Sequence, residues 1–147
     1  MKKYILDLVV TQNIRLHANY VLIKMTHANP LPEMVPGQFA EIRIDGSQST
    51  YLRRPISINF VDKAANEVWF LVQLVGDGTR QLATVKEGDV VNVVLPLGNG
   101  YTLPQEAAAV KPLLVGGGVG TAPMLMLGST LAKMGIKPTF LLGARSA

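Results

Sequence analysis

The sequence predicts a mainly β chain, in which a Greek-key antiparallel β-barrel over residues 1–103 precedes a strand–helix–strand α/β unit over residues 104–147. In the first hundred residues, short apolar segments alternate with turns that contain glycine, asparagine or proline, as in antiparallel barrels. After Leu103-Pro104 an apolar strand, a glycine run and a helical segment follow one another. A strand followed by a glycine turn and a helix is how a parallel α/β unit begins.

The composition indicates a globular protein and excludes several other classes. The chain has 147 residues, of which 48% are hydrophobic and 16% charged, so it can bury a core. Its apolar stretches are shorter than a membrane span and no signal peptide follows the charged start, which predicts a cytoplasmic protein. The chain has no cysteine, which excludes disulfides and thiolate-bound iron–sulfur centres in these residues. The net charge of +4 suits an anionic ligand or is incidental, since the basic residues are scattered.

The individual elements follow from local patterns. Two helices are expected, over 79–85 and 121–134, the second with Pro123 near its first turn and Gly135 at its C-cap. Residues 105–110 are expected to form a linker or a short helical turn. The predicted strands are 3–11, 20–25, 38–44, 52–60, 68–75 and 90–95 in the barrel, then 111–115 and 138–142 in the second unit.

The run Arg53-Arg54-Pro55-Ile56-Ser57 puts a guanidinium and a hydroxyl on an apolar strand. A pyrophosphate is bound by arginine, backbone N–H groups and helix N-termini, and a flat ring by apolar walls with one or two polar contacts. We therefore expect Arg54 to bind the pyrophosphate of a flavin dinucleotide, Pro55 and Ile56 to line its ring, and Ser57 to hydrogen-bond near its reactive nitrogen. Taken alone, Arg54 is more typical of an ion pair at a strand edge.

The run Gly76-Asp77-Gly78-Thr79 follows another apolar strand. Gly78 and Thr79 are expected to offer N–H groups and a hydroxyl to the phosphates, at the N-terminus of the short helix. Alone, this run is typical of a hairpin turn. The two runs in order, each attached to a strand, favour a shared binding site.

The run from Gly116 to Thr121 lies between an apolar strand and a helix, the context of a phosphate-binding turn. A tight turn without a ligand is the alternative. The run lacks the Gly-Lys-Ser/Thr ending of a P-loop, which argues against triphosphate hydrolysis.

Together these runs resemble the ferredoxin–NADP reductase superfamily and, within it, the electron-transfer subunits of class B dihydroorotate dehydrogenase. The resemblance rests on residues 52–58, 75–79, 87–89, 95–100 and 115–123. It implies an oxidoreductase subunit in which the cofactors carry the redox chemistry, so no catalytic side chain is expected. The FAD contacts that it implies are Arg54, Pro55, Ile56, Ser57, Leu71, Val72, Gln73, Gly78 and Thr79, and Gly117, Gly118, Gly120 and Thr121 would face NAD(H) and the flavin edge.

The resemblance also implies partners. In such proteins FAD passes electrons between NAD(H) and a two-iron two-sulfur cluster, which connects to a catalytic subunit that contains flavin mononucleotide and oxidises dihydroorotate in pyrimidine biosynthesis. The family binds that cluster through cysteines, which this chain lacks. With only one helix and two strands in its α/β unit, the chain is expected to be truncated, with doubtful NAD binding. A homodimer could then form through the exposed strand near residues 140–142.

Two other functions stay open at this point. One is a related reductase subunit, of the sulfide dehydrogenase-like or hydrogenase-associated kind. The other is a non-enzymatic barrel that binds single-stranded nucleic acid. The scarcity of aromatic residues beside basic ones argues against nucleic acid, and the short apolar stretches argue against a membrane.

Overall fold

The computed structural model describes residues 1–105 and 110–145. The barrel strands are β1 (Tyr4–His17), β2 (Tyr20–Thr26), β3 (Phe39–Ile42), β4 (Arg54–Asp62), β5 (Glu67–Gln73) and β6 (Val90–Leu97). These six strands close an antiparallel barrel in the order β1-β2-β5-β4-β3-β6. Because β2 pairs with β5 rather than with β3, the connection from β2 to β3 crosses β5 and β4, and the predicted Greek-key barrel is confirmed.

Alternate apolar side chains fill the barrel. Along β2 and β5 every second residue is buried, as expected for strands with one face toward a core. The most deeply buried side chains, all below 2% exposure, include Leu8, Ile23, Met25, Ile42, Ile58 and Phe70. Because the sheet closes on itself through β1 and β6, the barrel is a rigid frame for what its strand ends carry.

Helix α1 (Asp77–Leu82) connects β5 to β6 and differs from the predicted span of 79–85. The Thr79 hydroxyl accepts hydrogen bonds from the N–H groups of Val75 and Gly76, at 3.0 and 3.1 Å. These bonds stabilise Gly76 in the N-cap position, so the helix begins at Asp77. It ends at Leu82, where the following residues fold back in a turn that joins the Thr84 N–H to the Gln81 carbonyl.

The second unit consists of β7 (Leu113–Gly117), a 3₁₀ turn (Gly118–Thr121), helix α2 (Met124–Lys133) and β8 (Thr139–Gly143), with β7 and β8 parallel. The predicted helix over 121–134 was therefore wrong at its start: Thr121 belongs to the 3₁₀ turn. Pro123 is the N-cap of α2 rather than part of its first turn. Gly135 ends the helix with a φ of +77°, as predicted. Of the predicted linker over 105–110, residues 106–109 lie outside the described part of the chain.

A buried contact joins the second unit to the barrel. The Asn59 amide on β4 is 7% exposed and donates a 2.7 Å hydrogen bond to the carbonyl of Ala122, just before α2. Met126 of α2 packs with the barrel core. The proposed division of the chain at residue 103 stays a prediction. Neither helix in residues 1–105 and 110–145 combines the length and apolar character needed to cross a membrane.

Candidate functional site

The structure brings Arg54 and Gly78 into contact, although they lie on different elements. Arg54 is the first residue of β4 and Gly78 lies in the first turn of α1. A Cβ built on Gly78 would be 2.8 Å from Nε of Arg54 and 3.0 Å from Cγ2 of Thr50. A side chain at position 78 would thus displace the Arg54 side chain, which lies directly over Gly78. The two motifs predicted to share a site therefore lie against each other.

Arg53 and Arg54 have different environments. The Arg53 guanidinium donates to Asn92 Oδ1 at 2.5 Å, to the Asn92 carbonyl at 3.1 Å and to the Glu41 carbonyl at 3.4 Å. The Arg54 guanidinium donates only to carbonyls of its own segment, at 3.2 and 3.4 Å, and pairs with no carboxylate among the described residues. Arg53 is thus committed to the sheet, whereas Arg54 retains donors for an anion.

Thr79 uses its hydroxyl within the protein. Besides accepting from the N–H groups of Val75 and Gly76, the hydroxyl donates to the Gly76 carbonyl at 3.0 Å, and the residue is 8% exposed. The predicted contribution of this hydroxyl to phosphate binding is thus reduced to shaping the loop. What remains available to an anion is the backbone around Gly78 and Thr79, next to Arg54.

The remaining predicted ring contacts flank an opening in the barrel wall. The ladder between β4 and β5 ends at the pair Ile58–Phe70. Beyond it, residues 54–57 pair only with β3 and residues 71–73 only with β2 in the described sheet. Each segment therefore leaves one edge of its backbone free, and the two free edges face the same opening.

Exposure separates the side chains at this opening. Pro55 is exposed, and Ile56, Ser57, Leu71 and Gln73 are half-buried. Val72 is fully buried, so only its backbone could contact a ligand. The opening thus offers apolar side chains, one hydroxyl and unpaired backbone groups, which is what a flat heteroaromatic ring with polar edges requires.

The glycine turn lies near the same end of the barrel. A Cβ on Gly118 would be 3.9 Å from the hydroxyl of Tyr20, and Tyr20 pairs with Gln73 at the end of β5. Gly118 has a φ of +55°, which favours glycine. The spaces beside Gly117 and Gly120 are open, whereas Thr121 donates its hydroxyl to the Gly118 carbonyl at 2.9 Å.

Thr50 and Tyr51 belong to this surface but were not predicted. Thr50 is 6% exposed and packs beside Gly78, and Tyr51, the next residue, is 90% exposed. The sequence analysis assigned no role to Thr50 or Tyr51. An aromatic residue between a polar turn and a double arginine was the available signal.

Grooves also lie elsewhere on the described part of the molecule, and two of them bear on the site. One of 850 Å³ separates the barrel from α2 and is lined by Phe60, Tyr101 and Met126 among others. A smaller one of 250 Å³ beside α1 contains Arg43 and Asp45. The hydrogen bond and charge of Asp45 raise the pKa of Arg43, so this cation is already paired. None of the predicted site residues lines either groove, so the candidate site is an open surface.

Known proteins share both sequence and fold with this chain. No protein-family model matches it. A dihydroorotate dehydrogenase B (NAD(+)) electron transfer subunit from Fusobacterium nucleatum is 36% identical over 140 residues, covering 95% of this chain and 54% of the relative. The subunit of the same name from Listeria monocytogenes serotype 4b is 43% identical over 115 residues, covering 78% and 45%. The chain thus spans about half the length of the curated relatives it matches.

Solved structures similar in fold to this chain are, like the sequence relatives, electron-transfer proteins. An NADH-dependent reduced ferredoxin-NADP oxidoreductase, studied for flavin-based electron bifurcation, matches with a TM-score of 0.82 and 28% identity over 95% of this chain and 49% of its own. Phthalate dioxygenase reductase, described as modular for electron transfer from pyridine nucleotides to [2Fe-2S], matches with a TM-score of 0.78 and 26% identity, covering 97% and 44%.

Proposed function

We propose that this chain, which has a ferredoxin reductase-like fold, belongs to the family of dihydroorotate dehydrogenase B electron transfer subunits and binds FAD for electron transfer. The proposed flavin unit is the barrel, residues 1–103, and residues 104–147 form the proposed beginning of an NAD-binding unit. The observation that carries the proposal is the Arg54 side chain over Gly78, beside the free backbone edges of β4 and β5.

The residues fit the two chemically different parts of FAD. Arg54 and the backbone N–H groups near Gly78 suit a doubly charged pyrophosphate, for which each charge-assisted hydrogen bond contributes about 1.5–3 kcal/mol. The opening between residues 54–57 and 71–73 suits the isoalloxazine ring, with Ser57 as a hydrogen-bonding side chain at its edge. Ile56 and Leu71, both half-buried, provide apolar contact to the ring.

The bound flavin would supply the redox chemistry, and the protein would supply position and access. No side chain of the chain is proposed to transfer a proton or form a covalent bond. The closed barrel keeps β4 and β5 in place, so the ring is held without rearrangement of the core. The site is open on one side, which gives an electron donor or acceptor access to the ring.

The glycine turn is the proposed contact for a nicotinamide cofactor. Gly117 and Gly120 have open space beside them, and the turn lies near Tyr20 at the end of the barrel where the flavin ring is proposed. A dinucleotide at Gly118 would thus approach the proposed flavin edge. The chain has no cysteine, so any cluster that exchanges electrons with this flavin would be bound through residues outside this sequence.

The proposed partner is the catalytic subunit of dihydroorotate dehydrogenase, because the relatives are named as its electron transfer subunits.

A second copy of the chain is proposed to pair with β8. All five residues of β8 are exposed, including Phe140, Leu141 and Leu142. Parallel strands are usually covered on both faces, and apolar edges promote pairing between chains. Light scattering should show a dimer that Leu141→Lys converts to a monomer.

Flavin retention tests the function directly. The purified chain is mixed with FAD, passed through gel filtration and examined by visible absorption. We expect a flavin spectrum to co-elute with the protein, and Arg54→Ala to lose most of it. Lys63→Ala is the matched control, since it also removes one positive charge but lies beyond the opposite end of β4, paired with Glu33.

Three results would contradict the proposal. Wild-type protein without co-eluting flavin at saturating FAD would exclude a functional site in this chain. Equal flavin loss in Arg54→Ala and Lys63→Ala would mean that only net charge matters. Salt-sensitive binding of single-stranded oligonucleotide without flavin binding would favour the nucleic-acid alternative. Anaerobic addition of NADH to the loaded protein then tests the glycine turn, because bleaching of the flavin absorption requires electron transfer from the nicotinamide.

A further inference from the structure

Two large apolar side chains project into solvent immediately before Arg53 and Arg54. Tyr51 is 90% exposed and Leu52 is 75% exposed. Within the described residues, the Tyr51 hydroxyl has no hydrogen-bond partner and the ring stacks on no other aromatic ring. Single exposed apolar residues are common, but these two adjoin a proposed anion site rather than an arbitrary surface.

The loop that carries Tyr51 is held in place. The Thr50 N–H donates to Ser47 Oγ at 3.0 Å, and Ser49 Oγ donates to Asp77 Oδ2 at 3.3 Å. Thr50 itself is buried beside Gly78. Because Thr50 is fixed against the first turn of α1, the Cα of Tyr51 lies about 3.8 Å from a residue of the proposed phosphate site.

The order of residues along the chain matches the order of groups in FAD. Ser57 lies at the proposed ring site and Arg54 at the pyrophosphate, about 10 Å apart along an extended strand. Tyr51 precedes Arg54 by the same number of residues, in the loop that leads into β4 and bends at Leu52. The adenosine of FAD leaves the pyrophosphate on the side opposite to the ring, which is where the loop ends.

From this placement we propose that the Tyr51 ring stacks on the adenine of FAD and makes the site select FAD over flavin mononucleotide. The inference rests on the proposed FAD site. An exposed aromatic beside an anion site is the usual platform for a nucleobase, and its preorganisation by Thr50 limits the entropy lost on binding. Leu52 adds apolar surface next to the Tyr51 ring.

Dissociation constants for FAD and flavin mononucleotide, measured by quenching of flavin fluorescence up to millimolar ligand, test this inference. Tyr51→Ala should weaken FAD binding about 5- to 150-fold, the range for loss of one base–aromatic stack. It should leave flavin mononucleotide binding unchanged, since that ligand has no adenine. Tyr51→Phe should bind FAD like wild type. Ile5→Ala, which truncates another exposed apolar residue, 68% exposed and on β1, is the control and should change neither constant.

The possible results distinguish a failure of the proposed adenine contact from a failure of the proposed FAD site. Wild-type protein that binds neither flavin would overturn both. Wild-type protein that binds FAD, with a Tyr51→Ala variant that loses both flavins equally or neither, would overturn the adenine contact and leave the FAD site standing. A Tyr51→Phe variant as weak as Tyr51→Ala would also overturn it, because the hydroxyl rather than the ring would then be required.

Discussion

Substituting alanine for Gly78 should weaken FAD binding without destabilising the protein. The new Cβ would lie 2.8 Å from Nε of Arg54 and 3.0 Å from Cγ2 of Thr50, where ordinary contacts begin near 3.4 Å. Arg54 therefore has to move by several tenths of an ångström or more. Loss of one charge-assisted hydrogen bond to the pyrophosphate would cost about 1.5–3 kcal/mol, or roughly 10- to 150-fold in Kd.

The fold should tolerate the same substitution. Gly78 lies inside α1 and has no positive φ, so alanine introduces no backbone strain. Alanine is favoured over glycine in a helix interior by about 0.8–1 kcal/mol, and the part of that preference that applies in the first turn offsets some of the crowding. We expect the urea midpoint to change little while the FAD affinity falls. A general folding defect would lower both.

A double-mutant cycle locates the effect. If Gly78→Ala acts by displacing Arg54, it should cost little more in an Arg54→Ala background, because the contact is already lost. Fluorescence titration of the wild type, the two single variants and the double variant measures the coupling. Additive losses would refute the reasoning, as would wild-type FAD affinity in Gly78→Ala.

Two further substitutions test the parts of the structure around the site. Arg53→Ala should lower the free energy of unfolding, measured in urea, by about 1–3 kcal/mol, because Asn92 and Glu41 lose their donor. The folded variant should bind FAD normally. Weak FAD binding at full stability would show that Arg53, not Arg54, binds the phosphate. Asn59→Ala should also cost about 1–3 kcal/mol, because the Ala122 carbonyl is left without its donor, and wild-type stability would mean that this bond does not hold the second unit.

The barrel was predictable because its strands carry the period-two pattern of a half-buried sheet. Residues 20–25 and 90–95 were predicted within a few residues of β2 and β6. Strand β1 was predicted to end near residue 11 and in fact continues to His17. Its second half is polar and mostly exposed, paired with β2 across two register shifts, so neither composition nor alternation marked it as strand.

The helix starts were harder to predict because side chains decide them. The start of α1 depends on the Thr79 hydroxyl, which accepts backbone donors that a sequence pattern does not reveal. In the second unit, the 3₁₀ turn over Gly118–Thr121 precedes α2, which therefore begins only at Met124. In both cases the element was expected, and local hydrogen bonding set its boundary.

The candidate site was predictable in its residues but not in its contacts. The motifs indicated Arg54 and Gly78, whereas their direct contact depends on how β4 and α1 meet. The ending of the β4–β5 ladder at Ile58–Phe70 depends on register, which is a property of the closed barrel. Thr50 was missed because a threonine in a polar loop carries no signal of burial.

Hydrogen–deuterium exchange with and without FAD tests the central claim most directly, because it reports where on the chain the ligand binds. We predict slower exchange on adding FAD in peptides that contain residues 50–57 and 71–80, and no change in peptides that line the groove beside α2, such as 60–64 and 126–133. Protection confined to that groove, or no protection in residues 50–57 and 71–80 at saturating FAD, would contradict the account.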